Sequence, residues 1–436
     1  MKFYNRDNEQ QQLRLWSQQA AEGKSSLTLM VGRRRVGKTG LLAHTYQDAA
    51  LYLFISRKAE PLLCEEFTEQ IRNQLNLPIF GQPRSLREVL EILFQYAQTQ
   101  PLTLILDEFQ DIARVNPAVF SELQNLWDQY RPRCKLHLIC CGSLYSLMTK
   151  LFQDSKEPLF GRADHRINLQ PLKPAYLAEL LHDSGRYSAE NLLTWYTLSG
   201  GVPKYLEWLA QTDPQRDLWE SLINEFSLVI EEGRYRLAEE FGAEQSTYFS
   251  ILATLANGKT SRSEIESVLE MSIGPYLKRL EEDFDIIQRV TPVFATPNSR
   301  QVKYRIQDAF LSFWFRFIYR YRSAVEIENF AFIRQAIARD FATYSGTWLE
   351  QLFRAQLAAS GDYNLIGNYW EAGNKNEIDI VAVNDFSKTV LIAEVKRNPA
   401  SLRLSHLKAK AQRLEQRLAG YEITYRGLSL TDLESI

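Results

Sequence analysis

The run Gly32-Arg33-Arg34-Arg35-Val36-Gly37-Lys38-Thr39 is a complete Gly-x4-Gly-Lys-Ser/Thr loop, and its flanks fix what must surround it. Before it, Leu27-Thr28-Leu29-Met30-Val31 is an apolar stretch that reads as a buried strand. After it, Leu41 and Leu42 open a helical apolar pattern. A strand that turns through glycines directly into a helix is a phosphate cradle. Backbone N–H groups close around phosphate oxygens, and the helix presents the positive end of its dipole. Gly32, Val36, Gly37 and Gly40 shape the loop, Lys38 reaches the β- and γ-phosphates, and Thr39 holds Mg²⁺. The expected ligand is a nucleoside triphosphate, taken as ATP; the loop does not separate ATP from GTP.

A second apolar run, Leu102-Thr103-Leu104-Ile105-Leu106, ends in Asp107-Glu108. At the carboxyl end of a central parallel strand, Asp107 reaches the Mg²⁺ shell and Glu108 polarises an attacking water. The bland reading of the pair is an acidic turn after a strand. Further strands are expected at Leu51 to Ile55, Leu136 to Cys141 and Ile167 to Leu169, with helical stretches between them. That alternation predicts a three-layer α/β sandwich. Ser143 follows the strand at Leu136 to Cys141, where a hydroxyl either senses the γ-phosphate or simply ends a turn.

At 436 residues the chain exceeds one ordinary core, so a multidomain α/β protein is expected. Its net charge of −2 excludes a global polyanion-binding surface, leaving only local basic patches. The beginning of the sequence lacks the apolar segment of a signal peptide. No apolar run reaches membrane length; the greasiest, Phe310 to Tyr321, is broken by Arg316 and Arg320. Cys64, Cys134, Cys140 and Cys141 lack zinc spacing and read as small buried apolar residues. Adjacent Cys140 and Cys141 should face opposite sides of a strand. The expectation is a cytoplasmic, reduced protein without a membrane partner.

From Pro174 to about Glu240 the apolar spacing is helical, with Tyr176, Leu177, Leu180 and Leu181 on one face. This segment is expected to be a helical lid over the nucleotide. A helix at Tyr248 to Ala256, a second capped by Ser261 with Glu264 three residues on, and a third at Ile273 to Leu280 follow. Two short β-rich runs, Ile286 to Val290 and Val302 to Ile306, complete a winged helix-turn-helix, joined at Pro297-Asn298-Ser299-Arg300. Lys278 and Arg279 on the recognition helix, with Arg300 and Lys303 on the wing, would meet DNA. Glu281, Glu282 and Asp283 oppose this, so a docking or architectural role stands beside it. The aromatic run Phe310 to Phe317 reads as core.

The last hundred residues read as a helix at Phe341 to Leu357, strands at Tyr363 to Tyr369, Ile378 to Val383 and Val390 to Val395, a basic helix at Leu402 to Leu418 and a strand at Tyr421 to Tyr425. Alternation puts Glu394 and Lys396 on one face of a strand. Asp379 on the neighbouring strand can share a divalent cation with Glu394, with Lys396 orienting a water and Glu350 as a further ligand. The alternative for Glu394 and Lys396 is a salt-bridge pair. Lys396, Arg397, Arg403, Lys408, Lys410, Arg413 and Arg417 make this end locally basic. That basic face either tracks phosphates or is merely solvated.

These features resemble a known family. Phe3-Tyr4-Asn5-Arg6-Asp7, the loop at Gly32 to Thr39, Leu106-Asp107-Glu108-Phe109-Gln110, Pro158-Leu159-Phe160-Gly161-Arg162 and Gly200-Gly201-Val202-Pro203 occur in the order of the archaeal-type ATPases of the AAA+/STAND superfamily. The resemblance implies that Asn5 to Asp7, including Arg6, lie near the adenine. It also implies that Arg162 acts as an arginine finger on a neighbouring subunit of a homo-oligomer. Arg162 read by itself is equally a surface arginine before a strand, and no arginine stands within Gly200 to Tyr205 for lid sensing. The tail resembles restriction-endonuclease-like, PD-(D/E)xK, domains. The expected organisation is 1–172 ATPase core, 173–242 lid, 243–325 winged helix and 335–436 nuclease-like domain.

Two functions fit. One is an ATP-dependent DNA-processing or defence enzyme that cleaves DNA with Mg²⁺. The other is an ATP-controlled switch or scaffold whose winged helix and tail bind a partner or DNA without cutting.

Overall fold

The computed structural model describes residues 3–143, 145–241, 245–296 and 299–434. The chain divides into two compact units, residues 5–170 and residues 171 onward together with Phe3 and Tyr4.

The first unit is built on five parallel strands: β1 Ser26–Val31, β2 Leu51–Phe54, β3 Leu102–Asp107, β4 Leu136–Gly142 and β5 His165–Asn168. Their order is β2-β3-β4-β1-β5. Parallel strands need covered faces, and every residue of β1 and β4 is buried accordingly. Two hydrophobic cores flank the sheet, one holding Cys140 and the other Cys141, so the expected three layers and opposed cysteines are both present. All four cysteines are buried and unbridged. Chain order alone did not show that β4 inserts between β1 and β3. That insertion sets Ser143 between the phosphate loop and Glu108.

The second unit begins with helices Pro174–Asp183, Ala189–Ser199, Pro203–Gln211, Leu218–Leu222 and Leu228–Phe241. Gly201 has φ 82°, and a Cβ there would lie 2.1 Å from the Leu172 carbonyl oxygen, so the Gly200-Gly201-Val202-Pro203 element serves a tight backbone approach. Helices Gln245–Ala256, Arg262–Leu269 and Gly274–Lys278 follow, then the antiparallel pair β6 Ile287–Val290 and β7 Lys303–Ile306. The Ser261–Glu264 capping box forms as expected. The third helix is shorter than Ile273 to Leu280 and continues as a wider turn over Arg279–Asp283. The hairpin joint at Pro297-Asn298 and the lid boundary at 242–243 lie outside the described residues.

The tail opens with a 31-residue helix, Phe330–Ser360, whose first turn is capped by Asn329 well before the expected start. Strands β8 Leu365–Glu371, β9 Lys375–Asn384 and β10 Thr389–Lys396, helix Leu404–Arg417 and β11 Glu422–Ser429 complete it. The sheet runs β11-β10-β9-β8, with β11 parallel to β10 across the helical crossover and the other pairs antiparallel. The expected helix-strand-strand-strand-helix-strand order is therefore present.

Lid, winged helix and tail were expected as three domains, but one continuous core runs through them from Leu172 to Leu433. The aromatic run supplies the reason: Phe310, Phe313, Trp314, Phe315 and Phe317 are all buried at its centre. The wing is docked on the tail as well. Val293 N–H donates to the Asn368 carbonyl at 2.8 Å. Lys303 Nζ lies 2.9 Å from Glu377 and 4.6 Å from the Trp370 ring centroid. The ammonium of Lys303, expected on a DNA-facing wing, is thus engaged within the chain. Among the described residues no helix is long and apolar enough to cross a membrane.

Candidate functional sites

The phosphate loop leaves β1 and enters helix Lys38–Tyr46 through Gly37 at φ 94°. A Cβ on Gly32 would stand 2.7 Å from the Leu169 carbonyl oxygen, so only glycine fits there, while Val36 is buried beneath the loop. Lys38 is buried and its Nζ donates to the carbonyls of Gly32 at 2.8 Å and Arg33 at 3.2 Å. Thr39 and Gly40 are exposed at the helix start. Thr39 Oγ1 donates to Asp107 Oδ2 at 3.0 Å, which brings together the hydroxyl and carboxylate expected to share a Mg²⁺ shell.

Glu108, directly after the strand, adopts the left-handed conformation at φ 51°. Ser143 Oγ donates to Glu108 Oε2 at 2.8 Å, and the Gln110 amide donates to the same oxygen. Ser143, expected either to sense the γ-phosphate or to end a turn, thus holds the Glu108 carboxylate. Tyr52 went unnoticed in the sequence; its hydroxyl donates to Asp107 Oδ2. Burial, then the neighbouring Asp107 carboxylate, push the Tyr52 phenol pKa well up, so it stays a donor. Arg6 is buried, pairing with Glu9 at 3.2 Å and donating to the Gln170 carbonyl. Arg162 pairs with Asp128 at 2.9 Å, a hydrogen bond that raises its pKa.

The second cluster lies at one end of the tail sheet. Lys396 Nζ stands 3.7 Å from both Asp379 Oδ2 and Glu394 Oε1. Lys410 Nζ approaches Glu394 Oε1 at 3.4 Å, and the Arg403 N–H donates to Glu394 Oε2 at 3.3 Å. The structure thus brings Asp379, Glu394 and Lys396 together, an arrangement that the salt-bridge reading of Glu394 and Lys396 shares. Glu350, expected as a further metal ligand, is tied to Arg354 at 2.8 Å. Burial first, then Asp379, push the Glu350 carboxyl up to about 7. Burial also raises Asp379, against the N–H of Val395, which donates to its carboxylate at 2.8 Å.

Among the described residues no three His, Cys, Asp or Glu side chains are grouped to hold a metal ion. Two carboxylates sharing one ammonium nevertheless suit Mg²⁺, which is commonly held by one or two carboxylates plus substrate phosphates. Asp379 and Glu394 would be its ligands. Arg354 and Asn368 escaped the sequence reading; the only signal was Arg354 four residues after Glu350 on a helix.

Lys278 and Arg279, expected on a recognition helix, each have an acidic neighbour four residues on. Lys278 lies 3.7 Å from Glu282, and Arg279 lies 3.7 Å from Asp283.

Residues 3–209 match an ATPase domain found predominantly in Archaea. Residues 314–410 match a family of archaeal and bacterial proteins of unknown function. An uncharacterized protein of Methanocaldococcus jannaschii is 28% identical over 409 residues, covering 90% of this chain and 87% of the relative. Among solved structures, a Walker-type ATPase of Pyrococcus abyssi superposes with a TM-score of 0.55 at 20% identity. That match covers 72% of this chain and 96% of the other, and at such identity the likeness is one of fold. The loop, its lysine and the Asp107–Thr39 pair fit ATP with Mg²⁺, the usual ligands of such a domain. The P-loop unit thus falls within the segment similar to the archaeal-type ATPase domain, and the long helix with β8 to β10 falls within the segment similar to the second family.

Proposed function

We propose that the chain couples ATP turnover to DNA binding and to Mg²⁺-dependent cleavage of the DNA backbone. The observation that carries this reading is the meeting of Asp379, Glu394 and Lys396 at one end of a sheet with restriction-endonuclease-like order. Burying charge on apolar strands costs several kcal/mol unless it is paired or coordinated, so such a cluster has a purpose. Mg²⁺ held by Asp379 and Glu394 would supply Lewis acidity at the scissile phosphate. Lys396 would orient the attacking water, and the basic helix Leu404–Arg417 would follow the phosphates. Assembly into a homo-oligomer would let Arg162 leave Asp128 and act on a neighbour's nucleotide.

The test is cleavage of linear and circular DNA with Mg²⁺, with and without ATP. Cutting is expected from the wild-type chain and lost in Lys396→Ala, with its ATP response lost in Lys38→Ala. Absence of cutting under every condition sinks the nuclease reading. A switch or scaffold that binds without cutting is the second reading, and the pairing of Lys278 and Arg279 with acidic neighbours favours it.

A further inference from the structure

Asp379 does not sit in a regular strand. Gly367 pairs with Val381 and Tyr369 with Ile378, so Asn368 alone on β8 faces both Asp379 and Ile380 on β9. This is a β-bulge, and such bulges re-aim side chains beside active sites. The packing records the extra residue. Ile378, Val381 and Val383 all face the core under helix Leu404–Arg417, whereas Ile380 and Ala382 face the opposite core. Strict alternation would have put Ile378 and Val381 on opposite faces.

A bulge frees backbone groups from the ladder, and here they are taken up by side chains. The Asp379 carbonyl accepts from Arg354 Nη2 at 3.0 Å and from Asn368 Nδ2 at 3.2 Å. The same Arg354 nitrogen donates to Glu350 Oε2 at 2.8 Å, so one guanidinium fixes two of the site's acidic residues. Arg354 is largely buried and its Nε is left without a partner, a cost that the two Nη2 bonds and the neighbouring carboxylates offset. Asn368 is anchored in turn, its own carbonyl accepting from Val293 N–H at 2.8 Å. On the far side the Asp379 carboxylate accepts the Val395 N–H at 2.8 Å, where a regular ladder bond would otherwise run. That bond holds the carboxylate beside the neighbouring strand, where Lys396 Nζ stands 3.7 Å from both it and Glu394.

We infer that Arg354 and Asn368 are positioning residues that hold the bulge at Asp379 and so set the distance between its carboxylate and Glu394. Neither touches the scissile bond in this scheme; each acts through Asp379. The inference rests on the metal-dependent reading for its chemical consequence, but the positioning itself is measurable without it.

The experiment uses the full chain with Arg354→Lys and Asn368→Leu. Lysine preserves the charge, and leucine is a near-isosteric neutral replacement at a half-buried site. Hydrogen exchange at the Val395 amide, Mn²⁺ binding followed by electron paramagnetic resonance, and Mg²⁺-dependent cleavage are all measured. Exchange at Val395 should quicken by tenfold or more in both variants, with the global melting temperature nearly unchanged. Turnover at saturating Mg²⁺ should fall about ten- to a hundredfold, as misplacement of a reacting group by ~1 Å does. The DNA concentration at half-saturation should stay constant. Unchanged exchange and unchanged turnover in both variants overturn the inference. A wild-type chain that neither binds Mn²⁺ nor cuts DNA overturns the nuclease reading instead, and exchange at Val395 still decides the positioning. Should Arg354→Lys fail to fold, Asn368→Leu decides alone.

Discussion

Nη2 of Arg397 stands 2.7 Å from both carboxylate oxygens of Glu190. Arg397 directly follows Lys396, and Glu190 opens the lid helix Ala189–Ser199. Arg397 Nη1 also donates to the buried Ser345 hydroxyl at 2.7 Å, on the long helix that carries Glu350. The end of β10 is thus pinned to the lid on one side and to the long helix on the other. Tyr196 on the same lid helix meets Trp348 edge-on at 6.2 Å, which adds an aromatic contact to the ionic one.

Because Glu190 is half exposed, the pair contributes at most about 1 kcal/mol to stability. Glu190→Gln should therefore shift the melting temperature little, yet loosen the strand end it pins. Faster hydrogen exchange at residues 396–398 and a weakened ATP response of DNA cleavage are expected. The swap Glu190→Arg with Arg397→Glu should restore part of both. An ATP response equal to wild type in Glu190→Gln would remove the lid contact from the coupling.

Ser143 and Glu108 give a second expectation. Ser143 Oγ holds the Glu108 carboxylate, and with Glu108 proposed to polarise water, Ser143→Ala should lower ATPase kcat about tenfold and leave KM for ATP near its wild-type value. Lys38→Ala, by contrast, should abolish turnover and nucleotide binding together. Steady-state kinetics with labelled ATP separates the two. A KM that rises in Ser143→Ala with kcat unchanged would mean the hydroxyl serves nucleotide binding rather than Glu108.

His137 makes the first unit sensitive to acid. It lies wholly buried on β4, its ring nitrogens 2.8 Å from the hydroxyls of Ser17 and Thr28. Burial drives its pKa down to about 3 from 6.5. The unfolded chain therefore binds the proton more readily between those values. Stability is fully present above pH 6.5 and falls toward pH 3, by at most about 1.4 kcal/mol per pH unit. Urea unfolding of the wild-type chain from pH 7 to pH 4 should show this slope, and His137→Gln should flatten it. Equal slopes in the two proteins would mean that other groups govern the acid loss.

How much of this was legible in advance depended on the range of the interaction. The phosphate loop, the Asp107-Glu108 strand end and the Ser261–Glu264 box are written within a few residues, and each folded as its local chemistry requires. Glu394 and Lys396 share a strand, so alternation was enough to join them. The bulge at Asp379 was not legible, because it depends on the register between β8 and β9. Its two anchors, Arg354 and Asn368, come from elements eleven and more residues away. The engagement of Lys303 was hidden for a similar reason: its partner Glu377 lies 74 residues on, and local reading sees only a wing lysine. The long helix began early because Asn329 supplies a cap that apolar spacing does not register.

Gly233 offers the sharpest test of the shared core. A Cβ on this helical residue would lie 2.3 Å from the Trp314 ring, and the ring is held in place by Nε1 donating to the Ile230 carbonyl at 2.8 Å. Glycine to alanine in a helix ordinarily gains about 1 kcal/mol. Here the ring must move, losing packing worth about 1–3 kcal/mol and a hydrogen bond worth about 1 kcal/mol. The clash wins, and Gly233→Ala should destabilise the chain by about 1–3 kcal/mol, read as a lower urea midpoint. Trp314→Phe alone should also destabilise, through a cavity and the lost Nε1 bond. In the double variant the smaller ring has already lost its Nε1 anchor and can swing away from the new methyl, so the combined loss should be smaller than the sum by about 0.5 kcal/mol or more, an order set by coupled neighbours. Strict additivity would show that Gly233 and Trp314 do not meet as described, and with it the contact between lid and aromatic run would fall.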